Sequence, residues 1–122
     1  MPSPVAHFEL TAKDPAKLRT FFTKLFNWGT EDYPDMGYTM LHTAEKVGIN
    51  GGLGAASAEL PPGLAIYVQV ENVDRALGEA LTLGASGVLQ APNDIPGIGR
   101  FAMFLDPEGN RIGLWQLATE GN

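Results

Sequence analysis

The chain contains no cysteine. That excludes disulfides, thiolate metal centres and a cysteine nucleophile, and it leaves the redox compartment open. Basic residues are scarce: 8 Lys and Arg stand against 14 Asp and Glu, a net charge of −6. They form no cluster, which argues against nucleic acid or an anionic membrane as partner. Long apolar runs are missing as well; Phe101 to Leu105 is far too short to cross a bilayer. The start, Met1-Pro2-Ser3-Pro4, shows no basic segment leading into an apolar stretch, so no signal peptide is read there and a cytoplasmic location is expected.

What is present suits a single folded domain. The 122 residues are 44% hydrophobic, enough to bury a core. Val5 to Leu10 alternates, with Ala6, Phe8 and Leu10 on the packed face of a strand and His7 and Glu9 on the opposite one. A helix follows: Asp14 is its N-cap, Pro15 sits at its first position, and Leu18, Phe21, Phe22, Leu25 and Phe26 form one apolar stripe, with Gly29 marking its end. Short strands are predicted around Trp28 to Tyr33, Tyr38 to Thr43 and Val47 to Leu53. Residues 55–62 read as a linker.

The pattern then repeats. Leu64, Ile66, Val68 and Val70 alternate with Ala65, Tyr67, Gln69 and Glu71. Asn72 caps a second helix whose stripe is Ala76, Leu77, Ala80 and Leu81, and Gly84 ends it. Strands are expected near Ser86 to Gln90, Arg100 to Leu105 and Arg111 to Leu117. The loop Ala91 to Gly99 carries two prolines and two glycines. Asp106-Pro107-Glu108-Gly109-Asn110 is a strong turn signal. The two caps lie 58 positions apart, and the same offset lays the first strand on Gly63 to Val68. The expected fold is therefore α+β: two tandem β-α-β-β-β modules, about 4–54 and 63–118, in one domain of 1–122, with mixed sheets curving around a cavity.

These residues carry a family likeness. Val5-Ala6-His7-Phe8-Glu9-Leu10, the Asp14 cap, Phe21-Phe22 with Leu25-Phe26-Asn27-Trp28, and Asp106 to Asn110 leading to Gly113-Leu114-Trp115-Gln116 together resemble the vicinal oxygen chelate superfamily of glyoxalases, extradiol dioxygenases and bleomycin-resistance proteins. The wording is most similar to an uncharacterised glyoxalase-like branch. The resemblance spans nearly the whole chain and implies a homodimer. It also implies a divalent metal held by four His, Glu or Gln side chains, two from each half, with open positions for two substrate oxygens.

The ligand positions that the resemblance implies are largely empty of ligands. His7 matches the first. Its repeat counterpart is Ala65, the last-strand position falls on Gly113, and the fourth lies near Asn50 in a register uncertain by one residue. Ala65 and Gly113 cannot bind metal, so a divalent metal is disfavoured as cofactor and His7 remains as a residual metal candidate.

His7 is also the candidate catalytic base or a hydrogen-bonding group, against the plain alternative of a satisfied buried histidine. Glu9 shares its face. Tyr67, Gln69 and Trp115 stand on the matching face of the other half, and with His7 and Glu9 they are the expected ligand-binding set; packing alone is the competing reading for each. Arg100 is weighed as an anion contact against a solvated rim arginine. His42 reads as surface, Trp28 as core, and the glycines of Gly48 to Gly52 as a bulge or close approach, not a phosphate loop. Three functions follow: a metal-free small-molecule-binding protein, a metal-dependent lyase, isomerase or dioxygenase of the same superfamily, or a structural module.

Overall fold

The computed structural model describes residues 2–44 and 46–118. Among them are two helices and eight strands, the α+β arrangement expected. The order is β1 (Val5–Ala12), α1 (Pro15–Phe26), β2 (Gly29–Tyr33), a 3-10 turn at Pro34–Met36, β3 (Tyr38–His42), β4 (Gly51–Ala55), β5 (Gly63–Gln69), α2 (Val73–Thr82), β6 (Gly87–Ile95), β7 (Gly99–Leu105) and β8 (Arg111–Leu117). The repeat is close: β1 and β5, and likewise α1 and α2, begin 58 residues apart. The chain divides into two compact units, one of residues 7–64 and one of residues 65–122 with the first six. The boundary falls inside β5, two residues past the segment read as a linker.

In the unit of residues 7–64 the strands run β2-β3-β4-β1. β1 and β4 are parallel; the other pairs are antiparallel. Asp14 caps α1 by accepting from the Lys17 amide, as its position before Pro15 foretold. The helix ends at Asn27, whose φ of 59° is left-handed, so Asn27 and not Gly29 is the terminator. The apolar core is Ala12, Leu41 and Leu53, with Phe8, Leu10, Leu18 and Trp28 against it. Trp28 is thus a core residue, stacked on Phe22 at a centroid distance of 5.3 Å. The helical stripe is not wholly inside: Phe21, Leu25 and Phe26 are 55%, 58% and 52% exposed. The predicted fourth strand shifts too, from Val47–Leu53 to Gly51–Ala55. Gly48 takes a φ of 79°, and the Asn50 side chain accepts from the Thr43 amide at 3.0 Å, so this stretch turns before it extends.

In the second unit the order is β5-β8-β7-β6, with β5 and β8 parallel and the rest antiparallel. Asn72 caps α2 through the Arg75 amide, and Gly84 follows the helix with a φ of 111°. Val73, Leu77, Ala102 and Leu114 form the core, flanked by Val70, Ala76 and Phe104. The segment expected as a loop, Ala91 to Gly99, is largely strand, because β6 runs on to Ile95. β6 pairs only with β7 in its unit, and its register slips twice around Pro92. A proline without an N–H is tolerated at such an edge or bulge. The Asp106 carboxylate accepts from the Glu108 and Asn110 amides and closes the last turn.

Candidate functional site

Strand pairing sorts the side chains into rows. Glu9, Gly52, Met40 and Glu31 lie side by side across β1, β4, β3 and β2. The next row is Thr11, Gly54, Tyr38 and Tyr33. Alternation puts both rows, and His7, on the face opposite the Leu41 and Leu53 core. Tyr38 starts in the row of Thr11, yet its hydroxyl reaches the Nε2 of His7 at 2.9 Å. It does so by lying across Gly52: a Cβ at that glycine would run into the Tyr38 ring and hydroxyl. Only glycine leaves this path open.

The pair is electrostatically quiet. Burial lowers the pKa of His7 below its ordinary 6.5, because a desolvated imidazolium is disfavoured. Burial, and then the negative charge of Glu9, raises the Tyr38 phenol above its ordinary value. Both groups are therefore neutral near pH 7. His7 and Tyr38 are half-buried, as is Glu9.

The depressed His7 pKa sets a stability slope. Between 6.5 and the lower folded value, the unfolded chain binds a proton that the folded one does not. Stability present above that window is lost as pH falls through it. Comparing urea midpoints at about pH 7.5 and pH 5.5, His7→Gln is expected to lose less stability than the parent. An equal loss in both would show that His7 does not carry this slope.

The second unit repeats the device. Tyr67, Gly113, Met103 and Gln90 form a row across β5, β8, β7 and β6. A Cβ on Gly113 would fall within the Tyr67 ring. Tyr67 is buried, 8% exposed, so it is a packed residue and not an open cavity wall. Gln69 pairs with Trp115, and Trp115 with Phe101. The expected ligand-binding residues thus fall into two sets, His7 with Glu9 in one unit and Tyr67, Gln69 and Trp115 in the other. The row correspondence also places Gly52 where the second unit has Gly113, so the fourth ligand position implied by the family falls on Gly52, not Asn50.

These positions do not fit a four-ligand metal centre. Ala65, Gly52 and Gly113 offer no donor, a tyrosine ring covers each glycine, and His7 Nε2 is engaged by Tyr38. Among the described residues, no group of three or more His, Cys, Asp or Glu is arranged to hold an ion.

Other candidates resolve locally. Arg100 donates through Nε and Nη2 to Asp74 and through Nη1 to Asp94, which ties the first turn of α2 to β6. Two carboxylates already occupy it, so it is a strut within its unit rather than an anion contact. His42 is exposed and lies 3.4 Å from Glu31, a surface pair. Tyr38 is the site residue that sequence reasoning passed over. Its signals were its parity with Met40 and His42 and the neighbouring glycine pair, already read as a mark of close approach.

The chain matches the profile of the Glyoxalase/Bleomycin resistance protein/Dioxygenase superfamily over residues 5–114 and belongs to that family. CFP32 of Mycobacterium tuberculosis, whose name assigns it provisionally to the glyoxylases, is 32% identical over 116 residues, 88% of this chain and 43% of its own. The chain spans less than half the length of the curated relatives it matches. A superfamily member from Vibrio splendidus superposes with a TM-score of 0.67 at 17% identity, covering 94% of this chain and 99% of that one. Methylmalonyl-CoA epimerase of Mycobacterium tuberculosis gives 0.64 at 16%, covering 94% and 88%. These structural likenesses establish the fold. No described helix is long and apolar enough to cross a membrane.

Proposed function

We propose that this chain is a small-molecule-binding protein of the glyoxalase superfamily that works without the family's four-ligand metal site. The observation that carries the reading is the His7–Tyr38 hydrogen bond over Gly52, which occupies the one histidine left at a family ligand position. The ligand-contacting residues are His7, Glu9 and Tyr38, all in the unit of residues 7–64. The protein is cytoplasmic and forms a homodimer; the exposed Phe21, Leu25 and Phe26 of α1 supply apolar surface in support of self-association.

Protein purified without tag or chelator is expected to contain no stoichiometric divalent metal and to bind added Zn, Ni or Mn only weakly. Sedimentation of the same sample should give twice the chain mass. His7→Ala should weaken binding of a ligand found by thermal-shift screening and leave metal content unchanged. A stoichiometric metal lost on His7→Ala would instead establish the second reading, a metal-dependent lyase, isomerase or dioxygenase. The glyoxylase name of CFP32 favours that reading; Ala65, Gly52 and Gly113 oppose it.

A further inference from the structure

A groove of about 380 Å³ opens where β1 passes into α1, and all of its lining residues fall in the unit of residues 7–64. Ala12, Leu18, Phe21 and Pro62 give it apolar walls. Hydrogen bonds hold those walls in place. The Ala56 amide donates to the Ala12 carbonyl, and the Thr11 hydroxyl donates to the Gly63 carbonyl. Ser57 and Leu60 close a turn on each other just before Pro61 and Pro62. Each proline fixes its own φ. The groove is therefore formed before anything enters it, and a preformed cleft does not have to be ordered by its ligand. Its volume is that of a small-molecule site.

Charge narrows what the groove takes. Lys13 and Lys17 also line it, and both are exposed. Among the described residues, neither ammonium group is in an ion pair or a hydrogen bond, whereas Arg19, Arg75 and Arg100 each face a carboxylate. The carboxylate in the lining is Asp14, which accepts from the Lys17 amide as the cap of α1. Two ammonium groups against one carboxylate leave this groove positive in a chain whose net charge is −6. A purely polar anion would leave the walls unused, and a neutral apolar ligand would leave the lysines unused. An apolar body with an anionic head uses both, and the lysine stems extend the apolar surface.

We propose that this groove is a second binding site, for a small apolar carboxylic acid whose body lies against Leu18, Phe21 and Pro62 and whose carboxylate pairs with Lys13 and Lys17. His7, Glu9 and Tyr38 do not line it, so it stands or falls independently of the site described above. Exposed ion pairs are individually weak. Apolar contact therefore supplies most of the affinity, and the lysines supply the preference for an acid over its neutral counterpart.

The test uses a matched pair of probes, hydrocinnamate and hydrocinnamide, titrated into the whole protein. NMR follows the Phe21 and His7 rings and the Lys13 and Lys17 amides. The acid is expected to shift Phe21 and both lysine amides, with a Kd of millimolar order, and to leave His7 still. At low salt it should bind about threefold to fivefold tighter than the amide. That difference should shrink in about 1 M salt, where screening acts beyond about 3 Å. Lys13→Gln combined with Lys17→Gln should bring the acid down to the level of the amide. Phe21→Ala should weaken both probes about fivefold. Lys24→Gln and Leu25→Ala, on the same helix but outside the groove, should change neither. No shift at Phe21 with either probe, or a shift at His7 without one at Phe21, overturns the site. Equal binding of acid and amide at low salt, or a double lysine variant that binds the acid as the parent does, overturns the assignment to carboxylic acids.

Discussion

Gly113→Glu, which would put back the acidic residue that the family carries on its last strand, is expected to unfold the protein more readily rather than restore a metal centre. Gly113 lies between Tyr67 on β5 and Met103 on β7, 8% and 1% exposed. A side chain there would enter the Tyr67 ring from its first carbon onward. Overpacking of this kind costs about 1–3 kcal/mol, and an inward carboxylate adds desolvation unless it gains a partner. A total near 3 kcal/mol would lower the thermal midpoint by roughly 10 °C for a chain of this size. Calorimetry of Gly113→Glu, Tyr67→Ala and the double variant tests the cause. Removing the ring should make the glutamate markedly less harmful, as expected for residues in contact. Additive losses, or a stable Gly113→Glu that binds zinc stoichiometrically, would show that the tyrosine ring does not guard this position.

Leu41→Ala is expected to cost about 2–5 kcal/mol. Leu41 is fully buried in β3, in the core cluster with Ala12 and Leu53. Leu25→Ala on α1 removes the same atoms from a side chain that is 58% exposed and should cost far less. Chemical denaturation of the two variants at matched concentration separates them. Equal losses would mean that the outer face of α1 is covered in solution, as a second copy of the chain would cover it.

The two predictions draw on different levels of information. Leu41 could be chosen from alternation alone, since period two sets it with Thr39 on the face away from Tyr38 and Met40. The collision at Gly113 could not. The sequence shows a glycine where the family carries a carboxylate, but not that a tyrosine from a strand more than forty residues earlier lies over it. The helix ends follow the same division. Asp14 and Asn72 were readable because a cap acts on amides three residues away. The terminator Asn27 was not, since asparagine serves equally well in other turns. The strand through Pro92 was misread as loop because local chemistry cannot reveal that β6 lies at an edge.

By itself, then, the sequence determined the two β-α-β-β-β halves, their helix starts and the shared parity of His7 and Glu9. Each of these depends on neighbours within a few residues or on an internal repeat, and such information survives in one dimension. The tertiary structure alone decided that Tyr38 crosses Gly52 to His7, that Tyr67 covers Gly113, and that Arg100 is held by Asp74 and Asp94. These contacts depend on register between strands joined by loops. That register is set by how whole faces pack, and a shift of one residue would send every side chain of a strand to the other side.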